Sequence, residues 1–226
     1  MREGFYYLWT TGKGLYILLG LLFFGIFVSP LLISTGLISD ISVECIFALI
    51  LIAGVFATPC RLLIRMGMLV IAISAVIARA LHKFSPSNFI IGSVDNIFAA
   101  VSLIAFSLLI IRYFLMNRSL LRYRITAAVA VYLILGILWA RLFEIVYLFN
   151  SAAFSLDVMR EPFCLMYFSF VTLLTIGYGD IVPVSIAARS LAILEGVVGQ
   201  FYMMIIITAL VSEFSALAIK SAKEEN

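Results

Sequence analysis

Charged residues are scarce in this sequence: Asp, Glu, Lys and Arg together make up 12% of its 226 residues. Soluble domains carry about 25%. With 65% hydrophobic residues and a mean hydropathy of +1.21, the chain cannot cover itself with polar surface, which excludes a water-soluble domain. Histidine occurs once, as His82, and cysteine three times, as Cys45, Cys60 and Cys164. That set has neither metal spacing nor a disulfide pattern, so the cysteines read as small packing residues. No nucleotide loop and no acid–base constellation is legible, so the sequence suggests neither an enzyme nor a resident cofactor. Low-complexity stretches and internal repeats are lacking too. A net charge of +3 relates to membrane topology and gives no reason to expect a nucleic-acid partner.

What the chain has in abundance is apolar runs. They predict six transmembrane helices near 15–36, 43–59, 66–82, 96–116, 125–149 and 188–214, since about 20 apolar residues cross the hydrocarbon as a helix. The stretch 162–174 is apolar as well, but its 13 residues are too few to span; that length suits a re-entrant helix. The first run is too long for a signal peptide and lacks a small-residue cleavage site, so it reads as a retained anchor. Lys and Arg decide the orientation. With both termini inside, cytoplasmic segments hold nine: Arg2, Lys13, Arg61, Arg65, Arg118, Arg122, Arg124, Lys220 and Lys223. Outer segments hold three, Lys83, Arg160 and Arg189. The bias predicts a multi-pass protein of the cell membrane with cytoplasmic N and C termini.

Between the last two runs lies Thr175-Ile176-Gly177-Tyr178-Gly179-Asp180. This TIGYGD stretch resembles the selectivity filter of potassium channels, whose loop reads TVGYG. A potassium ion must shed its water in such a pore, and backbone carbonyls aimed at one axis replace it. Gly177 and Gly179 suit the unusual backbone angles this requires. The resemblance implies K+ as the transported ligand, held by the carbonyls of Thr175, Ile176, Gly177 and Tyr178, with the Thr175 hydroxyl as the innermost ring. The side chains of Ile176 and Tyr178 are expected to point away and pack behind the loop. One such loop per chain requires four chains around an axis, a homotetramer.

The resemblance covers about 90 of the 226 residues. Pro183 and Arg189 stand where similar residues recur in the family. Gly199 stands 19 residues after Asp180, where the family commonly has a hinge glycine. The segment MYFSFVTLLT resembles the pore helix, but Tyr167 and Phe168 replace the usual two tryptophans, and Leu174 replaces a threonine. The helix C-terminus is expected to aim its partial negative charge at a cation on the axis. Tyr167 can brace Asp180 through its hydroxyl or serve as plain aromatic packing. Glu195, an ionisable group within a span, needs a partner or water. It is read as a support for the filter, with a roleless protonated carboxyl as the alternative. Gln200, Met203 and Ile207 fall on or near the expected cavity face, where an apolar constriction gates by dewetting. Gln200 serves equally well to satisfy a neighbouring helix.

The domain plan is a four-span bundle at 1–116, a basic cytoplasmic linker at 117–124, a pore domain at 125–214 and a short cytoplasmic tail at 215–226. Six spans invite comparison with a voltage sensor, but the fourth carries only Arg112, at its inner end. Gating energy scales with the charge moved, so weak or no voltage dependence is expected. Arg141 and Glu144, three apart, form a local ion pair on a helix, and Arg79 pairs with Asp95 or Glu44. His82 is read as a surface histidine, with pH sensing as the alternative.

The fold class that follows is an all-α membrane protein with six transmembrane helices, a re-entrant pore helix, a selectivity-filter loop and a tetrameric pore, in contact with membrane lipids. The function that follows is passive, selective K+ conduction. Rival readings are a nonselective cation channel, a potassium-uptake transporter subunit, and a regulatory pore subunit of a hetero-oligomer.

Overall fold

The computed structural model describes residues 13–37, 40–57, 62–84, 88–112, 121–155 and 163–224. Helices account for nearly all of them, and no strand occurs among the described residues. The first helix runs Lys13–Phe23 (α1), loosens into a π-helical turn at Phe24–Val28 and finishes as Ser29–Ser34 (α2). There follow Asp40–Ala57 (α3), Leu62–Phe84 (α4), Phe89–Ile110 (α5), Leu121–Phe149 (α6), Cys164–Leu173 (α7) and Ile186–Glu224 (α8).

Among the described residues, five helices are long and apolar enough to cross a membrane: Gly14–Ser34, Leu62–His82, Phe89–Ile110, Tyr123–Phe149 and Ile186–Ser212. The run expected at 43–59 lies on α3, but its apolar part, Cys45–Phe56, falls in the shorter class. The boundaries differ from the sequence reading where polar residues interrupt an apolar run. The fourth span begins at Phe89 rather than 96, because Asn88 caps it: its Oδ1 accepts from the Ile90 and Ile91 amides at 3.0 and 3.3 Å. That extension carries Asp95 and Asn96 into the interior, at 1% and 3% exposure. Asp95 accepts from Arg79 at 3.3 Å, and Asn96 donates to the Gly92 carbonyl at 3.1 Å. The last helix continues past Phe214 to Glu224, so the pore and tail boundary at 214 is not a break in structure. Likewise α6 starts at Leu121, within the expected linker 117–124, whose residues 117–120 lie outside those described.

Packing organises the chain around α6. This helix touches α1 and α5 on one side and α7 and α8 on the other, while α3, α4 and α5 complete the front bundle. A single buried cluster joins Leu18, Leu22, Leu51, Leu103 and Ile134, so the front helices and the pore unit share a core. A second cluster surrounds the short helix α7, where Phe143, Phe154 and Phe168 meet edge to face at 5.0–5.7 Å between ring centroids. Edge-to-face pairs lock ring positions, so this trio fixes α7 against α6 and the loop before it. Outer faces carry apolar side chains such as Leu63, Val70, Ile73 and Ile77 of α4, as a lipid-facing surface does.

Candidate functional site

The site is the loop after α7. That helix ends in a Schellman arrangement: the Thr175 amide donates to the Thr172 carbonyl and the Ile176 amide to the Val171 carbonyl, both at 2.9 Å. The motif places its C′ residue in the left-handed region, usually a glycine. Here it is Thr175, at φ 57°. A β-branched residue in that region costs on the order of 1–3 kcal/mol, so the fold must hold it there. Gly177 and Gly179 follow at φ 64° and 80°. Ile176 and Tyr178 between them lack positive φ, so the sign of φ alternates along the loop. A backbone of alternating φ departs from a strand, whose φ is negative throughout, and glycine takes the positive angles at little steric cost. The glycines were legible in advance; Thr175 was not, because its left-handed state comes from the helix ending before it.

In the single chain, residues 174–180 are exposed, Ile176 and Tyr178 at 47% and 68%. The chain's own described structure leaves about half of Ile176 and most of Tyr178 uncovered. The loop is held from behind and from one end. Tyr167 Oη donates to Asp180 Oδ2 at 2.7 Å, and the Ile181 amide donates to Asp180 Oδ1 at 3.1 Å. This hydrogen bond from Tyr167 holds the Asp180 carboxyl below its usual 3.8 and pushes the phenol up to about 12. Beyond Asp180 the chain is clamped to the segment after α6. Phe154 and Pro183 form an antiparallel bridge, Ser155 and Val184 amides donate to Val182 and Ala153 carbonyls at 3.0 and 2.8 Å, and Arg189 Nε donates to Pro183 O at 3.1 Å. Ser185 Oγ then caps α8 by accepting from the Ala188 amide at 3.1 Å.

Behind the loop, α6, α7 and α8 meet through polar contacts that the sequence reading had only in part. Glu195 is completely buried, and its Oε1 lies 2.5 Å from Ser169 Oγ. Ser169 Oγ also lies 2.8 Å from the Gly136 carbonyl. Tyr132 Oη donates to the Leu173 carbonyl at 3.1 Å, and Tyr202 Oη donates to Ala128 O at 2.8 Å; the two tyrosines stack at 6.0 Å. Ser169, Tyr132 and Tyr202 were not singled out in the sequence. The available signal was a hydroxyl inside an apolar helix, which needs a partner.

Two glycines allow this close approach. A Cβ on Gly136 would sit 2.4 Å from the Phe170 ring. One on Gly199 would sit 2.7 Å from Leu173 Cδ1. Gly199, expected as a hinge, lies within the continuous helix α8 with Leu173 seated against it. Gln200, Met203 and Ile207, further along α8, are exposed in the single chain. Away from the loop, Arg141 and Glu144 pair at 2.8 Å. Arg79 pairs with Asp95, with His82 Nδ1 at 3.6 Å from the same carboxyl. The side chain of Glu44 and the residue Cys60 lie outside what is described. No group of three or more potential metal-binding side chains occurs among the described residues.

Residues 127–216 match the family model described as Ion channel. The match supports an ion channel domain here, and with it passive ion conduction by a multi-pass membrane protein. It begins in α6, passes through α7 and the loop, and ends in α8, so it coincides with the unit just described. No curated protein and no solved structure matches the chain.

Proposed function

We propose that the chain is one subunit of a potassium-selective channel, a homotetramer that conducts K+ passively across the cell membrane. One observation carries this reading: within the ion channel domain, φ is positive at Thr175, Gly177 and Gly179 and at neither residue between them. A loop whose carbonyls line an axis can dehydrate a monovalent cation only if further copies complete the ring. The ion would be held by the carbonyls of Thr175, Ile176, Gly177 and Tyr178, with Tyr167 and Glu195 as supports. Gly199, Gln200, Met203 and Ile207 would line or shape the inner cavity. In this reading α3 is the sixth span, both termini are cytoplasmic, and the front bundle contributes little voltage dependence.

The test is the reversal potential of purified protein in a planar bilayer, with potassium on one side and sodium on the other. A value near the potassium equilibrium potential is expected. Current reversing near zero would replace selectivity with nonselective cation conduction.

A further inference from the structure

The contact between Glu195 and Ser169 poses a question of proton count. Ser169 Oγ lies within hydrogen-bond distance of two oxygens, the Gly136 carbonyl at 2.8 Å and Glu195 Oε1 at 2.5 Å. A serine hydroxyl has one proton to give. Were Glu195 ionised, Ser169 could satisfy one neighbour and would face the other as acceptor against acceptor. A second proton resolves the conflict, and only the carboxyl can carry it. The surroundings agree. Glu195 is 0% exposed, its Oε2 has no hydrogen-bond partner, and no ion pair reaches it among the described residues. A buried carboxylate left in that state would be uncompensated. The nearby titratable group on α6 is Tyr132, within electrostatic reach of Glu195, and its hydroxyl proton is committed to Leu173.

We propose that Glu195 is a neutral positioning acid: it donates its proton to Ser169, which donates to the Gly136 carbonyl, so that a directional chain ties α8, α7 and α6 together. Ser169 stands six residues before Thr175, on the helix whose end sets the loop. The chain therefore fixes α7 against both long helices, and α8 cannot slide past α7 without breaking it. The role in holding the filter rests on the potassium-channel reading. The proton assignment rests on the geometry alone.

The test is infrared spectroscopy of purified protein at neutral pH, comparing wild type with Glu195→Gln and Ser169→Ala. A protonated-carboxyl C=O band is expected in wild type, lost in Glu195→Gln, and shifted to higher frequency in Ser169→Ala as its hydrogen bond goes. The Glu195→Gln difference separates this band from any contributed by Asp95, the other buried carboxyl among the described residues. Glu195→Gln keeps a neutral donor, so it is expected to conduct with wild-type open lifetimes, whereas Glu195→Ala shortens them. A protonated-carboxyl region unchanged by Glu195→Gln, or a band that ignores Ser169→Ala, overturns the proposal. The band is read without any current, so its absence would leave the channel reading standing. A reversal potential near zero would sink potassium selectivity and leave the proton assignment intact.

Discussion

Asp180 and Tyr167 show how one hydrogen bond fixes a working range of pH. Asp180 has its acidity strengthened, so the contact is fully present above the ordinary 3.8 and is lost as pH falls through the lowered value. Tyr167 is shifted the other way, so the contact persists on the alkaline side until about 12. The brace is thus intact across the whole neutral range and fails only under strong acid or base. Tyr167→Phe removes the donor, and the Asp180 carboxyl then titrates closer to 3.8. The expected outcome is acid loss of conductance at a higher pH than in wild type, with shorter open lifetimes at neutral pH, read in bilayer recordings over a pH series. An unchanged acid limb would show that the hydroxyl is not a brace. Gly136 gives a steric counterpart. Gly136→Ala drives a methyl group into the Phe170 ring, which stands 2.4 Å from the ideal Cβ. Overpacking of this kind costs about 1–3 kcal/mol. Thermal unfolding in detergent should show a lowered midpoint, partly recovered by adding Phe170→Leu; no loss on Gly136→Ala would mean that α6 and α7 are less tightly apposed than described. Tyr167 and Asp180 were legible in the sequence because a known motif fixed their spacing. Gly136 and Ser169 were not, because their partners lie 34 and 33 residues away on another helix and nothing local marks them.

At the scale of elements, the question is what α8 needs from Gly199. Glycine in a long helix permits bending, and it also permits contact without a side chain. The structure shows the second use, with α8 continuous from Ile186 to Glu224 and Leu173 of α7 seated against the glycine. The two uses separate in a double substitution. Gly199→Ala should impair conduction through the clash with Leu173, and Leu173→Ala should relieve it if packing is the cause. If bending is the cause, the second change brings no recovery, and single-channel open probability distinguishes the cases. The helices themselves were readable because apolar length is a strong signal. Their ends were less so. Hydropathy marks where lipid-facing sequence stops, but Asn88 starts α5 by capping, and Asp95 sits within it because Arg79 crosses from α4. Neither cause is visible in the composition of a single segment. The π-helical turn at Phe24–Val28 also has no sequence marker that we can name. It lines a cavity of about 250 Å³ together with α2, α3 and α6, where Arg79 and Arg141 both stand over Phe47, at 5.2 and 5.0 Å.

At the scale of the whole molecule, the unit matched as an ion channel domain is incompletely covered. Half of the α6 window Tyr123–Phe149 is buried within the chain, against 11% of the α8 window Ile186–Ser212. Lipid can cover the apolar side chains of α8, but it cannot cover the loop. Irregular backbone is tolerated at membrane depth only where protein or a water-filled cavity receives it. Residues 174–180 are exposed in the single chain, so the loop needs neighbours on its flanks and water or ions on its carbonyl face. In the proposed homotetramer, identical copies around the axis supply both. Native mass spectrometry from mild detergent should therefore report four chains, and a stable monomer that still conducts would break the argument. The same assembly should respond weakly to voltage. α5 contains no Lys or Arg between Phe89 and Ile110, and Arg79 of the front bundle is tied to Asp95. Steep opening requires several charges that cross the field. A conductance–voltage curve that is shallow in wild type, and unchanged by Arg112→Gln, is the expected result; a steep curve flattened by that substitution would return the front helices to the role of a sensor.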